Sequence, residues 1–425
     1  MDCPVPKLRY DNRVKKPERI TESLFALGVF CSFLGAYFSV SLIGLGTGLV
    51  LVFGTWSAIK HRQWNLIRQN PLFIPLVLLI GAILVSILFA SPYAYSKPLG
   101  KLRYLLCFFL FTIYFVENPL AKEKIAKLGI GISFLLGLVA LLQHLGIFSP
   151  LAFISDLKPS PIPEVSDRFL ATGFAFHHNP FGATLNLLAP VMLAHAFMSP
   201  KIEQKRWFGG AAAFCALGVV CSFSRSSWLA WFISTGLFLT LLRPRLAFGF
   251  FTALASTVVS LLLFYEPFRA RASKFTLAAN SERLELWRIC WEMFKDSPWV
   301  GQGFYSFGTH FKKYTHQHET TSNFPVEAHN MYLDLLSGTG AIGLSAFIFF
   351  ILSVLVLLSR AYKQKDGNLS ERSWLLGGLA GFVAFMVGGL FDKLFYMTQT
   401  IVPVLFFLAI ATSVVMIRNQ KQNLK

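Results

Sequence analysis

Twelve long apolar stretches constrain the fold of this chain more than any other feature of its sequence. A helix needs about 20 apolar residues to cross a hydrocarbon core of about 30 Å, and most of these stretches approach that length. Only 14% of the 425 residues are charged, whereas soluble domains carry roughly 25%. The sequence therefore predicts an all-α integral membrane protein with about 12 transmembrane helices. The predicted spans lie near residues 21–38, 40–58, 72–90, 102–116, 128–147, 180–198, 208–222, 226–242, 247–265, 336–359, 374–391 and 397–417.

Basic residues set the predicted orientation of these spans. The first apolar run follows about twenty mostly polar residues and has no cleavage site after it, so it is predicted to be a signal anchor. With a cytoplasmic N-terminus, 24 of the 39 Lys and Arg residues fall in cytoplasmic segments, as the positive-inside rule requires. Both termini are therefore predicted to be cytoplasmic. The net charge of +18 is spread over membrane-flanking loops, so membrane lipid is the expected surrounding and no nucleic-acid partner is predicted.

The chain is predicted to form a single polytopic membrane domain over residues 1–425, with two extracytoplasmic excursions. The first covers residues 148–179, and the second is a long charged loop over residues 266–331. Irregular stretches with Pro and Gly belong outside the lipid or along a cavity, because lipid cannot satisfy exposed backbone groups. Chemistry on polar side chains is therefore expected at these two excursions.

Residues 281–294 of the long loop are predicted to form an amphipathic helix. Ser281 is a plausible N-cap residue, and Glu282 and Glu285 suit the positive end of a helix. A face with two tryptophans fits a helix lying in the headgroup zone, and packing on the tops of the spans is an equal alternative. The predicted apolar face consists of Leu284, Trp287, Trp291 and Phe294.

A histidine at the end of the long loop is the strongest local signal of chemistry. His329 follows Glu327 and precedes Asn330, and Gly340 and Gly343 come after a nine-residue gap from Met331 to Thr339. An imidazole can act as a general base because its ordinary pKa of ~6.5 lets it accept a proton near neutral pH. A lone interfacial histidine is more often structural, so its neighbourhood decides between the two. For both glycines, ordinary helix packing is the favoured role.

Three arginines predicted on the same side could bind an anion. Arg225 lies in a short turn between two spans, and Arg283 and Arg288 lie on the amphipathic helix. The planar guanidinium donates paired hydrogen bonds to phosphate oxygens. The alternative is that each arginine only reaches toward the membrane surface, which is favoured for Arg288.

Arg168 and the adjacent His177 and His178 form a further polar cluster where the first excursion returns to the membrane. Neighbouring histidines on a helix point in different directions and make a poor chelating pair. The six cysteines form no C-x-x-C pair, and the chain contains no Asp-x-Asp pair. Neither a metal site nor a cofactor is therefore predicted.

Taken in order, these motifs resemble the O-antigen ligase and polymerase superfamily of bacterial envelope proteins. The resemblance covers about residues 168–345, and its most specific part is the His329-Asn330 pair with the spaced Gly340 and Gly343. The matching segments are Gly173-Phe174 with His178-Asn179-Pro180, Ser222-Phe223-Ser224-Arg225-Ser226, Arg283 with Leu286-Trp287, Pro298-Trp299-Val300-Gly301-Gln302-Gly303, and His329-Asn330 with Gly340 and Gly343.

The resemblance implies a metal-independent, inverting glycosyltransferase in the bacterial inner membrane, with a periplasmic active site. The donor would be a glycan on undecaprenyl pyrophosphate, and the acceptor a sugar hydroxyl of the lipid A core. By the same resemblance, His329 would be the general base, and Arg225 and Arg283 would bind the pyrophosphate. Possible supporting residues are Arg168, Arg288, Glu327, Asn330, Gly340 and Gly343.

Two alternatives stay open at the level of sequence. An O-antigen polymerase would pass the glycan to another carrier-linked glycan instead of the lipid A core. A small-anion transporter is less favoured, because transporters place their sites near the midplane of the spans, where this sequence has almost no charged residues.

Overall fold

The fold is given by a computed structural model. The structure describes residues 16–89, 96–150, 161–162, 165–272, 281–314, 328–364 and 367–423.

The described chain is almost entirely helical, as predicted. The helices are α1 (Lys16–Phe38), α2 (Val40–Leu49), a π-helical turn (Val50–Gly54), α3 (Thr55–Lys60), α4 (Trp64–Arg68), α5 (Phe73–Phe89), α6 (Ser96–Glu117), α7 (Ala121–His144), α8 (His178–Met198), α9 (Ile202–Cys221), α10 (Arg225–Leu242), α11 (Pro244–Phe264), α12 (Glu266–Ala272), α13 (Ser281–Asp296), α14 (Phe307–Tyr314), α15 (Met331–Lys363), α16 (Leu369–Gly388) and α17 (Thr398–Asn423). Between α7 and α8, strands β1 (Pro161–Ile162) and β2 (Val165–Phe169) form an antiparallel pair that the sequence reasoning missed.

Each of the twelve predicted spans coincides with one of these helices, or with the continuous run α2 to α3. Among the described residues, eight helical stretches are long and apolar enough to cross a membrane, and α5 is a shorter apolar helix. The fold is therefore that of an all-α integral membrane protein. Some helices extend beyond the predicted spans: α15 begins at Met331, five residues before its span, and α7 begins at Ala121, seven residues before its span.

Burial separates central helices from peripheral ones. In its most apolar window α17 is 94% buried, whereas α11 is only 6% buried. Since α11 is also among the most apolar helices, its exposed surface is the kind that faces lipid. The core is built around α17, with α8 and α16 also largely buried.

The predicted amphipathic helix is present as α13, and two residues of its predicted apolar face are exposed. Leu284 and Trp291 are 49% and 50% exposed. Both faces of α13 are apolar, so spacing alone could not decide which one packs inward. The buried side chains are Leu286, Ile289, Cys290 and Met293, which cluster with residues of α14 and the N-terminal end of α15.

A main-chain joint connects the turn after α13 to α15. Within α15, Gly340 leaves the helical conformation with φ 64° and ψ −167°. Residues 298–303 and 337–342 exchange four backbone hydrogen bonds across this break; we call these two segments the Gly340 joint. The bonds run from Gln302 N to Ser337 O (2.9 Å), Gly303 N to Gly338 O (2.9 Å), Ala341 N to Pro298 O (2.8 Å) and Ile342 N to Trp299 O (3.2 Å).

Two glycines make this close approach possible. A Cβ on Gly340 would lie 2.3 Å from the backbone of Trp299, and one on Gly301 would lie 2.3 Å from that of Gly338. Both glycines also have positive φ, which L-residues with side chains rarely adopt. The joint therefore fixes the long loop against the helix that carries His329 at its start.

Candidate active site

His329 lies immediately before α15 in a left-handed backbone conformation, with φ 49°. The next residue, Asn330, is the N-cap, and its side-chain oxygen accepts hydrogen bonds from the N–H groups of Tyr332 (3.0 Å) and Leu333 (3.1 Å). The backbone N–H of Met331 donates to Gly389 O at 2.8 Å. A non-glycine residue in this conformation is uncommon, and such strain is concentrated at functional sites. Glu327 lies outside the described residues.

The imidazole of His329 faces a buried carboxylate that the sequence reasoning missed. Asp392, in the segment between α16 and α17, has a side chain only 1% exposed, and its Oδ1 lies 3.8 Å from His329 Nδ1. Burial alone would raise the pKa of Asp392. The side chain of His329 and the backbone N–H of Lys393 oppose this effect and hold the pKa below its ordinary value. A carboxylate that stays ionised beside an imidazole is suited to orient it and to stabilise its protonated form.

A second histidine acts on the same carboxylate. The charge of His177 also lowers the pKa of Asp392, so the start of α8 lies near the His329 pair. His177 is the N-cap of α8, and its Nδ1 accepts a hydrogen bond from the N–H of Asn179 at 3.2 Å. The rings of His177 and His178 are 4.3 Å apart. The two rings therefore do not diverge as expected for successive helical residues, because His177 precedes the helix.

Arg225 is the first residue of α10, just outside the predicted span at 226–242. The preceding turn is tight: Phe223 has φ 49°, and the Ser224 hydroxyl caps the helix. Burial lowers the pKa of the Arg225 guanidinium, and the positive charge of Arg283 lowers it further. The structure thus brings together the two arginines that sequence analysis assigned to pyrophosphate binding. Two guanidinium groups near enough for one charge to act on the other can donate hydrogen bonds to the same anion.

The end of α16 connects the arginine pair to His329. A Cβ placed on Gly388 would lie 3.9 Å from Ala230 of α10, and one on Gly389 would collide with Met331 of α15. Arg225 is five residues before Ala230 on α10, and His329 is two residues before Met331. The arginine pair and the His329 pair therefore lie at the same end of the helix bundle.

The remaining predicted site residues have more local contacts. Arg288 donates to Glu285 at 2.6 and 2.9 Å, and this hydrogen bonding raises the pKa of Arg288. These hydrogen bonds within α13 agree with the favoured interpretation that Arg288 only reaches toward the membrane surface. Arg168 lies on β2, where the carbonyl of its neighbour Phe169 is 2.9 Å from His144 Nδ1.

The fold and this site define a class of protein: a multi-pass membrane protein with a histidine, a buried carboxylate and clustered arginines at one end of its bundle. Residues 210–348, about a third of the chain, match the family model described as O-antigen ligase. This match confirms the resemblance to the O-antigen ligase and polymerase superfamily. It spans the arginine pair, the Gly340 joint and His329 but ends before Asp392. No curated protein matches the sequence.

Proposed function

We propose that this protein transfers a glycan from an undecaprenyl pyrophosphate carrier to a sugar hydroxyl of the lipid A core. The family match supports an activity of the ligase and polymerase type. The observation that carries the chemical proposal is the placement of His329 Nδ1 3.8 Å from the buried carboxylate of Asp392. An imidazole oriented through one nitrogen by a carboxylate leaves its other nitrogen, Nε2, to accept a proton.

In the proposed reaction, the acceptor hydroxyl gives its proton to His329 Nε2 as its oxygen attacks the anomeric carbon of the donor. The bond between that carbon and the pyrophosphate oxygen breaks, and its electron pair leaves with the carrier pyrophosphate. Attack opposite the leaving group inverts the anomeric centre. Asp392 stabilises the imidazolium that forms, although 3.8 Å must shorten for a hydrogen bond.

Arg225 and Arg283 are proposed to bind the pyrophosphate. Negative charge grows on the leaving oxygens during the reaction, and preorganised guanidinium groups stabilise it without a metal. Arginine is suited to this task because it stays charged and can donate two parallel hydrogen bonds to one phosphate. The charge of Arg283 acting on Arg225 supports a shared ligand.

The test is a strain lacking this gene, complemented with the wild-type protein or with His329→Ala. We expect His329→Ala to lower transfer by at least ~100-fold, since a general base contributes about 10² to 10⁴ in rate. Carrier-linked polymer should accumulate while the lipid A core carries none. His310→Ala is the matched control, because His310 lies on α14 of the same loop and contacts Ser306 O.

Immunoblotting of membranes should show equal amounts of both variants. If cells with His329→Ala still carry normal glycan on the lipid A core, the proposal that His329 is the general base is wrong. A core capped with a single repeat unit in the strain without the gene would identify the polymerase alternative instead.

A further inference from the structure

A second group of cations lies at the same end of the bundle, apart from the arginine pair. Lys101 and Arg103 lie in the second turn of α6, and Lys393 directly follows Asp392 in the segment before α17. The positive charges of Arg103 and Lys393 both act on Lys101. We call these three residues the α6 cation cluster.

The contacts of Lys101 and Arg103 are with neutral groups. Lys101 Nζ donates to Thr398 Oγ1 at 3.2 Å and lies 5.6 Å from the centre of the Tyr305 ring. Arg103 donates to the Tyr104 hydroxyl at 2.8 Å, and its guanidinium lies 4.8 Å from that ring's centre. Within the part of the chain that the structure describes, no carboxylate forms an ion pair with Lys101 or Arg103.

The position of Lys101 is costly without an anion. Lys101 is half-buried at the membrane end of a span, and removing a charged group from water costs free energy unless an opposite charge compensates. The positive end of the α6 helix dipole adds to the same field. The hydroxyl groups of Tyr104 and Thr398 lie 3.3 Å apart and hold Lys101 and Arg103 in one polar network.

We propose that the α6 cation cluster binds a phosphate group of the glycan acceptor. This inference rests on the proposed transferase function and assigns its second substrate a binding site. The arginine pair supplies cations for the donor pyrophosphate, whereas Lys393 adjoins Asp392, which orients the base. A phosphate bound at the cluster holds the acceptor next to the histidine that must deprotonate it.

The experiment measures transfer rates of the purified full-length protein in nanodiscs of zwitterionic lipid. The probes are lipid A core carrying its phosphate groups and the same glycolipid after dephosphorylation. For Lys101→Gln and Arg103→Gln we expect the apparent KM for the phosphorylated acceptor to rise about tenfold, as for the loss of one charge-assisted hydrogen bond. The KM for the donor should not change.

The dephosphorylated acceptor gives the decisive comparison. It should bind wild type at least as weakly as the phosphorylated acceptor binds Lys101→Gln, and the substitution should cause no further loss with it. Lys295→Gln is the control, since it removes one positive charge from α13, where Lys295 pairs with Glu292 at 2.6 Å. A rise in donor KM, or an equal loss with both acceptors, would overturn the proposal.

Equilibrium binding to His329→Ala separates this inference from the proposed function. Phosphate-dependent binding that Lys101→Gln weakens about tenfold supports the site even if wild type transfers no glycan. Acceptor binding that is the same with and without Lys101→Gln contradicts the site even if wild type transfers glycan. Adding phosphatidylglycerol to the nanodiscs tests whether the cluster binds phosphate groups of the bilayer. If this lipid weakens acceptor binding as much as dephosphorylation of the acceptor does, the cluster binds bilayer lipid and not the acceptor.

Discussion

The ionisation of Asp392 beside His329 bears on how the activity depends on pH. The pKa of Asp392 is held below its ordinary value, so its carboxylate stays ionised as pH falls through the neutral range. Loss of activity on mild acidification therefore does not come from protonation of Asp392. The stabilising effect of the carboxylate is present at neutral pH and is lost only when the pH falls through its lowered pKa.

Asp392→Asn should lower the maximal rate of transfer about tenfold, because the imidazole of His329 loses the carboxylate that orients it and stabilises its protonated form. An unchanged rate in a variant that accumulates normally in the membrane would contradict this role of Asp392.

Arg225→Lys and Arg283→Lys keep the positive charge but replace the planar guanidinium group with an ammonium group. We expect each to raise the apparent KM for the carrier-linked donor about tenfold, because a lysine cannot donate two parallel hydrogen bonds. Arg288→Lys is the matched control, since Arg288 is engaged by Glu285. Unchanged use of limiting donor by both variants would contradict a pyrophosphate role.

At the level of single residues, the candidate site residues named from the sequence are those that form an ordered motif. His329, Arg225 and Arg283 were identified from their neighbours along the chain, and the structure places the two arginines close together. Asp392 has no spacing relation to His329 and lies 63 positions later, so only tertiary structure brings it beside the ring. Its one sequence signal was a charged pair, Asp392-Lys393, between two long apolar stretches.

At the scale of elements, the Gly340 joint explains why glycine recurs after His329. Gly340→Ala and Gly301→Ala should each destabilise the protein by about 2 kcal/mol or more, because a strained φ alone costs about 1–3 kcal/mol and the added Cβ would overlap backbone. Gly81→Ala in α5 is the control, since a Cβ there meets nothing within 4 Å. The measurement is the midpoint of thermal aggregation in detergent, and equal midpoints for Gly340→Ala and Gly81→Ala would show that the joint is not stabilising.

Helices were easier to predict than their contacts. Apolar length located a helix at each of the twelve predicted spans, and the helical spacing of Leu284 and Trp291 correctly indicated α13. The buried face could not be assigned, because Leu286, Ile289 and Met293 follow an equally good helical spacing. The strand pair β1–β2 escaped prediction since strands of two and five residues carry little periodicity.

For the whole molecule, the predicted orientation puts both termini in the cytoplasm and His329 in the periplasm. Trp299 is 70% exposed at the His329 end, whereas Lys205 is exposed in the first turn of α9 at the opposite end. In a background with Cys3 and Cys31 replaced by Ser, we expect an impermeant maleimide to label Trp299→Cys from outside but not Lys205→Cys. The remaining cysteines are buried.

Permeabilised cells supply the control for this labelling, because both cysteines should then react. Labelling of Lys205→Cys alone in intact cells would invert the topology and place the site in the cytoplasm. Such a result would also exclude a periplasmic glycan transfer.

The Gly340 joint consists of main-chain hydrogen bonds and two glycines, so no bond in it depends on which side chains α13 presents outward. The outward residues of α13, including Leu284 and Trp291, can therefore be exchanged without disturbing the connection that holds the loop to α15. A chimera that takes only these outward residues from a protein matched by the same family model should therefore keep the attachment of α13 to α15 intact.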